Sequence, residues 1–492
     1  MAGRPSRRGA LPRRGLRGAV LARPRAGSPA RGGRARRRAR RRAGSARALR
    51  IGALPWRVGG RDRARDPVEQ HRRPDRRGSS VRPRRGQPRA RRGSALSPGR
   101  SSRRARAPGT RGGGRFLKLA EVKRRLGRVE RAIEKAIEAG ELPGAVVMAQ
   151  MGEELSFHHA TGAATLAPER IEARLATIYD LASLTKVMAT TAAMMLHVAE
   201  RKVDLDAPVA SYLPSFAERD KEKISVRHLL THSSGLRPWR AYHADLRERD
   251  LRRGEHVVGT QAGKAEITNR VLRSAPVHEP GEASVYGDLD FIALGALVEA
   301  LAGEALDAFC QRRIYGPLGL SDTHFNRLPF TGERARYAAT EQCSFRERVL
   351  WGEVHDPNAW AMGGVAGHAG LFSSAGEVLR FGQEMLAADR GESAIFPAEV
   401  AREFFRRQEI APGSDWALGW DTPTRGHSTS GEHFSSRSIG HTGFTGTSLW
   451  IDLERGMVIV FLSNRIHLVA KRSRFELRPQ VHDLIWEAFL AA

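Results

Sequence analysis

Apolar side chains recur at two spacings after about residue 116, and each spacing predicts a different kind of element. A spacing of three and four residues predicts helices at 118–140, 289–303, 305–316, 376–388, 397–408 and 474–492. Short runs rich in β-branched and aromatic residues predict strands at 144–150, 156–165, 415–421, 447–452 and 457–464.

The order of these elements favours an α+β fold. The predicted strands lie near the two ends of the region, and the stretch from 183 to about 315 is mostly helical in pattern. Strands at both ends with helices between them predict one sheet completed by the two termini, rather than a βαβ series. We therefore predict one folded domain over residues 116–492.

The first 115 residues differ sharply from the rest in charge. They contain 38 arginines, no lysine and four acidic residues, whereas residues 116–492 contain 45 basic and 49 acidic residues. The formal net charge of +30 for the whole chain therefore comes from this segment. Strong self-repulsion and few large apolar groups predict disorder over residues 1–115, because too little surface can be buried to offset the entropy of ordering.

Two interpretations of this segment stay open. It is either a nucleic-acid-binding tail that contacts phosphates, or GC-rich DNA translated upstream of the true start. We favour the second, because basic tails usually mix lysine with arginine. No secretory signal is visible, since the apolar run at 18–22 is too short. Localisation is therefore unknown: cytoplasmic by the missing signal, or periplasmic or secreted if the true start lies downstream. No apolar run is long enough for a membrane span.

The stretch LASLTKVMATTAAMML at 181–196 is apolar except for one lysine, Lys186, three residues after Ser183. On a helix these two side chains lie on one face. Serine needs an adjacent base to act as a nucleophile, and a desolvated lysine has a lowered proton affinity. The pair thus predicts nucleophilic catalysis of the Ser–Lys type. The alternative is a chance S-x-x-K match whose lysine extends to solvent.

Further motifs follow this pair in a fixed order. HLLTHSSGL occupies 228–236, YGDLDFIALG begins at Tyr286, VHDPNAWAMGGVAGHAGLFSSA occupies 354–375, and IGHTGFTGTSLWID occupies 439–452. Together they resemble the serine β-lactamase and penicillin-binding protein superfamily, in its class C-like branch of esterases and D-alanyl peptidases. The resemblance spans roughly residues 118–490. It implies an antiparallel sheet flanked by helices, an all-helical region beside it, and an active site in the cleft between them.

The resemblance also implies a role for each motif. Ser183 would be the nucleophile, Lys186 would help to remove its proton, and Tyr286 would act as general base and then as acid. The backbone N–H groups of Ser183 and Phe444 would form the oxyanion hole. The substrate-binding strand end would comprise His441, Thr442 and Gly443. No metal and no organic cofactor are implied.

Two positions depart from the family pattern. His441 stands where the family usually has a lysine that helps to recognise a substrate carboxylate, and histidine is mostly neutral at pH 7. This favours neutral esters or modified peptides as substrates, although Arg437 lies nearby in sequence. Asp288 stands where the family more often has asparagine. It would pair with Lys186 and keep that lysine charged, or would cap the following helix, or both.

Several other patterns are weaker signals of chemistry. We interpret Ser233 and Ser234 as turn residues, because Gly235 follows them and neither has a lysine three residues later. His355 and Asp356 lack metal-site spacing and predict a loop hydrogen bond. GTQAGK at 259–264 departs from the P-loop spacing. The two cysteines, Cys310 and Cys343, predict buried thiols rather than a disulfide framework.

These observations predict a serine hydrolase that cleaves an ester or amide through an acyl-serine intermediate. Its partner would be a small-molecule ester or peptide, and nucleic acid would bind only through the N-terminal segment. The alternative is a non-catalytic protein of the same fold that binds peptidoglycan fragments or a protein partner. Retention of Ser183, Lys186 and Tyr286 together favours catalysis.

Overall fold

The computed structural model describes residues 112–424, 426–468 and 475–490, with side chains from residue 121 onward. The predicted disorder of residues 1–115, and both interpretations of that segment, fall outside the described residues except for 112–115. The division into a segment 1–115 and a domain 116–492 therefore stays a prediction. No helix in the described residues combines the length and apolar character that a membrane crossing requires.

The largest element is a six-stranded antiparallel sheet with strand order β3-β2-β1-β11-β10-β9. Its strands come from both ends of the described chain, as the sequence predicted. They are β1 (Gly144–Met151), β2 (Leu155–Thr165), β3 (Ile171–Glu172), β9 (Ser438–Thr442), β10 (Ser448–Asp452) and β11 (Met457–Ser463). The other strands form a three-stranded sheet of β4 (Ile178–Asp180), β8 (Leu371–Ser374) and β5 (His324–Phe325), and a hairpin of β6 (Ala339–Cys343) and β7 (Arg348–Trp351).

Both faces of the large sheet are covered, and β11 shows why the sequence folds in this way. Its odd-numbered apolar residues pack with α1 (Gly112–Glu138) and α12 (Leu477–Phe489), and its even-numbered ones face α10 (Ala375–Arg390). Successive side chains of a strand point to opposite faces, so a continuous apolar run suits a strand buried on both sides. Gly382 of α10 permits close packing, since a Cβ there would lie 2.5 Å from Val458.

The region between these strands is mainly helical. Its helices are α2 (Ala192–Ala199), α3 (Val226–Leu230), α4 (Tyr242–Arg253), α5 (Gln261–Leu272), α6 (Leu289–Ala302), α7 (Leu306–Cys310), α8 (Gly316–Leu318), α9 (Pro357–Ala361) and α11 (Ala398–Phe405). A π-helical segment over Lys186–Thr191 precedes α2, and a second one over Gln311–Tyr315 follows α7. The α+β class, with an antiparallel sheet flanked by helices beside a helical region, is confirmed.

One predicted strand is wrong. Residues 415–421 form a loop whose single ladder contact is an isolated bridge between Asp421 and Gly440. The hydrogen bond from Ala417 N–H to the carbonyl of Trp420 bends this segment into a turn. Its apolar residues at 417–420 are buried together in the middle of this loop, rather than alternately on one face of a strand.

Candidate active site

Ser183 lies in a sharp turn between β4 and the π-helical segment. Ala182 has a φ of +48°, in the left-handed region that costs a residue with a side chain about 1–2 kcal/mol. The carboxylate of Asp180 holds this turn, because its Oδ1 accepts a hydrogen bond of 2.8 Å from Ala182 N–H. The sequence placed Ser183 on the helix itself. The structure places it in the turn, three residues before the π-helical segment begins, with its hydroxyl 3.1 Å from the Nζ of Lys186.

Lys186 is fully buried and its ammonium group lies at the centre of the predicted site residues. Its Nζ is 3.1 Å from Ser183 Oγ, 2.8 Å from Tyr286 Oη and 2.7 Å from Asp288 Oδ1. A fourth oxygen, the backbone carbonyl of His368, is 3.4 Å away. A buried charge must be paired and hydrogen-bonded to be tolerated, and these four oxygens meet that need.

The charges in this cluster shift the proton affinities of its members. Burial by itself would lower the pKa of Lys186, but the charge of Asp288, followed by that of Tyr286, raises it above its usual value. Burial also raises the pKa of Tyr286, and the charge of Lys186 only partly offsets that effect. Lys186 is therefore an ammonium ion at neutral pH. Asp288 occupies the residue before α6, yet its side chain caps no N–H of that helix.

Tyr286 is held by aromatic neighbours that the sequence did not reveal. Its ring stacks on Trp416 with centroids 5.6 Å apart, and His232 meets its edge at 4.8 Å. Trp416 comes from the 415–421 loop, for which the sequence predicts a strand. Gly287 allows the tyrosine to sit against the loop at 238, because a Cβ there would lie 2.6 Å from Pro238 Cα.

The turn after β9 lies against the turn that carries Ser183. Thr447 Oγ1 donates to the carbonyl of Leu181 at 3.0 Å, and Thr445 Oγ1 donates to the carbonyl of Asp180 at 2.8 Å. Gly443 is required for this close approach, since a Cβ there would lie 2.5 Å from the carbonyl oxygen of Leu181. Phe444 follows and has an exposed ring stacked on His355 at 5.3 Å.

The backbone N–H groups of Ser183 and Phe444 have no hydrogen-bond acceptor among the described residues. Most buried or half-buried N–H groups are paired in folded proteins. Two unpaired donors on adjoining turns beside a serine hydroxyl are suited to bind an anionic oxygen. The two groups are the ones that the sequence resemblance implied.

His441 is buried and its ring faces Tyr286 at 5.7 Å and Trp416 at 5.8 Å. Burial, together with the charge of Lys186, lowers the pKa of His441 to about 3, so the ring is neutral. Its Nδ1 donates to the carbonyl of Thr442 at 2.8 Å, and its Nε2 has no partner among the described residues. The residue therefore brings no positive charge to this end of β9.

One group of possible metal ligands lies beside Lys186 in the described part of the chain. Oxygen atoms of Asp288 and Asp356 and a nitrogen of His368 lie within 4.8 Å of one another. Each is engaged within the protein: Asp288 with Lys186, and Asp356 Oδ1 with His368 Nε2 at 2.9 Å and with Ala359 N–H at 2.7 Å. These contacts agree with the loop hydrogen bond predicted for Asp356.

The two serines of the 228–236 motif and the 259–264 motif make no hydrogen bond to Ser183, Lys186 or Tyr286 among the described residues. Ser233 and Ser234 are buried turn residues, with Gly235 at a φ of +79°. The hydroxyl of Ser234 bonds to the carboxyl of Asp290. In the 259–264 motif, Thr260 begins α5 by accepting a hydrogen bond of 3.3 Å from Gly263 N–H.

Asp180 was not singled out in the sequence, yet it joins three parts of the site. Its Oδ2 accepts from His355 N–H at 2.6 Å, while its Oδ1 and its carbonyl bind the turns at 182 and 445. The carboxylate is buried, and a lone aspartate before an apolar stretch gives no sequence signal.

We expect Asp180→Asn to lower kcat about tenfold and to destabilise the fold by about 1–3 kcal/mol. An amide would turn one N–H group toward a backbone N–H donor and leave that donor unpaired. Steady-state kinetics with an ester and thermal unfolding would measure the two effects. Asp206→Asn, at an exposed ion pair with Arg227, is the matched control. An Asp180→Asn protein with wild-type kcat would contradict this positioning role.

Comparison with known proteins places the chain among related sequences. The Beta-lactamase family matches residues 129–481. A protein of Escherichia coli strain K12, provisionally named D-alanyl-D-alanine carboxypeptidase, is 32% identical over 378 residues, which cover 70% of this chain and 83% of that protein. A similarly named protein of Salmonella newport is 33% identical over 326 residues, which cover 62% of this chain and 73% of that protein.

Solved structures share the fold. EstCE1, described as a hydrolase with promiscuous acyltransferase activity, superposes with a TM-score of 0.59 at 21% identity, covering 75% of this chain and 100% of its own. The octameric penicillin-binding protein homologue from Pyrococcus abyssi gives a TM-score of 0.56 at 19% identity, covering 74% of this chain and 77% of its own.

Proposed function

The chain belongs to the beta-lactamase family, and on that premise we propose that it is an acyl-serine hydrolase whose nucleophile is Ser183. One observation carries the proposal: the buried ammonium group of Lys186 lies within hydrogen-bond distance of both Ser183 Oγ and Tyr286 Oη. A serine hydroxyl and a phenol that share one buried cation can exchange a proton without solvent.

In the proposed acylation step, Tyr286 in its anionic form takes the proton of Ser183 as Oγ attacks the substrate carbonyl. The charge of Lys186 stabilises the tyrosinate. Negative charge develops on the carbonyl oxygen, where the N–H groups of Ser183 and Phe444 stabilise it. The C–O or C–N bond then breaks, and Tyr286 returns the proton to the leaving group. In deacylation, a water molecule attacks the acyl-serine as Tyr286 takes its proton. Tyr286 then returns the proton to Ser183 Oγ, and the acid is released.

We propose neutral esters as the preferred substrate class. The position where the family uses a lysine for carboxylate recognition holds His441, which is buried, neutral and hydrogen-bonded to the backbone carbonyl of Thr442. A second candidate is a D-Ala-terminated peptide, favoured by the names of the relatives that are 32% and 33% identical to this chain. Both reactions use one acyl-serine mechanism and differ in how the substrate is held.

A direct comparison of substrates tests the proposal. The full chain, as wild type and as Ser183→Ala, would be given p-nitrophenyl butyrate, a chromogenic cephalosporin and a D-Ala-D-Ala peptide in parallel. Turnover of the butyrate ester alone, lost in the variant, would support an esterase. Turnover of the peptide or the cephalosporin would show carboxylate recognition without the family's lysine. No turnover of any of the three would favour the non-catalytic, binding alternative.

We expect the kcat/KM of the wild type to rise with pH above neutrality, and Asp288→Asn to move that rise to lower pH by about one unit or more. The active form has one proton fewer on the Lys186–Tyr286 pair. Asp288 raises the pKa of both groups, so that form accumulates only as the pH increases. Removing the charge of Asp288 lowers both pKa values. A pH–rate profile of each protein measures the shift.

Asp206→Asn, a substitution at an exposed aspartate, is the control for a general change in charge. A profile for Asp288→Asn that coincides with the wild type, or that moves to higher pH, would contradict the role proposed for Asp288. A higher rate at neutral pH would agree with it, provided that the variant keeps the contact between Lys186 and Tyr286.

A further inference from the structure

Arg478, in the first turn of α12, lies behind the turn that carries Phe444. Its guanidinium donates to the carbonyl of Gly443 at 3.2 Å and to the carbonyl of Thr447 at 2.9 Å. The group is partly buried, and its Nε atom is buried without a hydrogen-bond partner among the described residues. Among the described residues, no carboxylate lies within ion-pair distance of the Arg478 guanidinium.

Withdrawing a cation from water without pairing it with an anion is unfavourable, so this arrangement calls for a physical reason. Arg437, next to β9, is by contrast paired with Asp389 at 3.0 Å. Burial, followed by the charge of Arg465, lowers the pKa of Arg478 to about 9, which still leaves the group charged at neutral pH. The guanidinium donates its hydrogen bonds to backbone carbonyls of the 443–447 turn.

The carbonyl of Gly443 and the N–H of Phe444 belong to the same peptide group. A cation that binds the carbonyl oxygen draws electron density from the peptide and makes its N–H a stronger donor. Linked hydrogen bonds strengthen one another by roughly 10–30% each. The turn is also closed by Gly443 N–H, which donates to the Thr447 carbonyl at 2.8 Å, and Arg478 binds that same carbonyl.

We propose that Arg478 is a positioning residue for the oxyanion site, which fixes and polarises the Gly443–Phe444 peptide so that its N–H binds the developing negative charge. This inference rests on the proposed function, because it requires that the N–H of Phe444 face an oxyanion formed on Ser183. Arg478, in α12, would thus affect the chemical step without contacting the substrate.

The test compares the full chain with Arg478→Gln, Arg478→Lys and the control Arg455→Gln. Arg455 lies 5.1 Å from the ring of Trp486, a residue of the same helix as Arg478, and makes no hydrogen bond to the 443–447 turn among the described residues. Two quantities are measured for each protein: kcat and KM for p-nitrophenyl butyrate, and the affinity for an alkylboronic acid. The boronate forms a tetrahedral anionic adduct with a reactive serine and therefore reports on the oxyanion site separately from the bound ester.

We expect Arg478→Gln to lower both kcat and the affinity for the boronate by about tenfold, and to change KM by less than about twofold. The loss in kcat should be smaller than that caused by removing a direct oxyanion donor. Arg478→Lys keeps the charge and should lose less. Arg455→Gln should match the wild type in both quantities. A role limited to folding would lower the melting temperature while the folded protein kept its kcat and boronate affinity.

Wild-type kcat and boronate affinity in Arg478→Gln would overturn the inference. If that variant fails to fold, Arg478→Lys decides: a measurable loss of boronate affinity supports the inference, and wild-type affinity overturns it. Failure of the proposed function is distinguishable, because the unaltered chain would then neither turn over the ester nor bind the boronate.

Discussion

Replacing Ser183 with alanine is expected to lower ester turnover by a factor on the order of 10⁴ to 10⁶, to the level that binding and the oxyanion donors alone provide. The hydroxyl is the group proposed to form the acyl intermediate, and no second serine hydrogen-bonds to Lys186 among the residues that the structure describes. The fold should be unchanged, since the substitution removes one small hydroxyl, with its hydrogen bonds to the Lys186 ammonium and to the Tyr286 hydroxyl.

Two measurements check this expectation. Stopped-flow kinetics would follow the release of p-nitrophenol, and mass spectrometry of the quenched wild-type reaction should find an acyl group on the peptide that contains Ser183. Ser233→Ala is a matched control, since this serine is buried in a turn with its hydroxyl 2.7 Å from that of Thr231. A Ser183→Ala protein that keeps substantial turnover would refute the mechanism.

The parts of the site that the sequence predicted are those carried by short motifs. Ser183 and Lys186 are three residues apart, and Tyr286 and Asp288 are two apart, so each pair has its geometry set locally. The order of the motifs, which resembles that of the family, then indicated that the Ser183–Lys186 pair and the Tyr286–Asp288 pair lie together in one site. The sheet formed from both termini was predicted for a similar reason, because β1, β2, β10 and β11 each have a local strand pattern, whereas the short β3 and β9 were not predicted.

The parts that the sequence missed depend on contacts between distant segments. Trp416 lies in a run predicted as a strand, but the run forms a loop that stacks on Tyr286 and meets the edge strand β9 only at the bridge between Asp421 and Gly440. Asp180 gains its role only because the turns at 182 and 445 approach it. Arg478 resembles any polar position of an amphipathic helix until α12 packs behind the 443–447 turn.

The short strands β4, β5 and β8 were missed as well. Each has two to four residues, too few for a period of two to be visible in sequence. They nevertheless matter for the site, because β4 ends at Asp180 and leads directly into the Ser183 turn. The segment of β8 is rich in glycine and serine, which is typical of a turn, and only its pairing with β4 makes it a strand.

The second large effect is expected for Tyr286→Phe, which should lower kcat by about 10²- to 10⁴-fold, the range for loss of a general acid–base group. The phenol is the proposed proton carrier between Ser183 and the leaving group. Phenylalanine keeps the ring that stacks on Trp416 and meets His232, so the architecture of the site should remain. The ammonium of Lys186 loses one partner at 2.8 Å but keeps its ion pair with Asp288.

Pre-steady-state kinetics should show that Tyr286→Phe slows acylation and deacylation alike, because the same group transfers the proton in both steps. Tyr212→Phe is the control, a tyrosine whose hydroxyl bonds to the N–H of Asp204 far from the motifs of the site. Acylation within tenfold of the wild type would mean that Lys186 takes the serine proton directly. The double variant Ser183→Ala/Tyr286→Phe separates the cases further: groups that act as one unit lose little more together than Ser183→Ala loses alone.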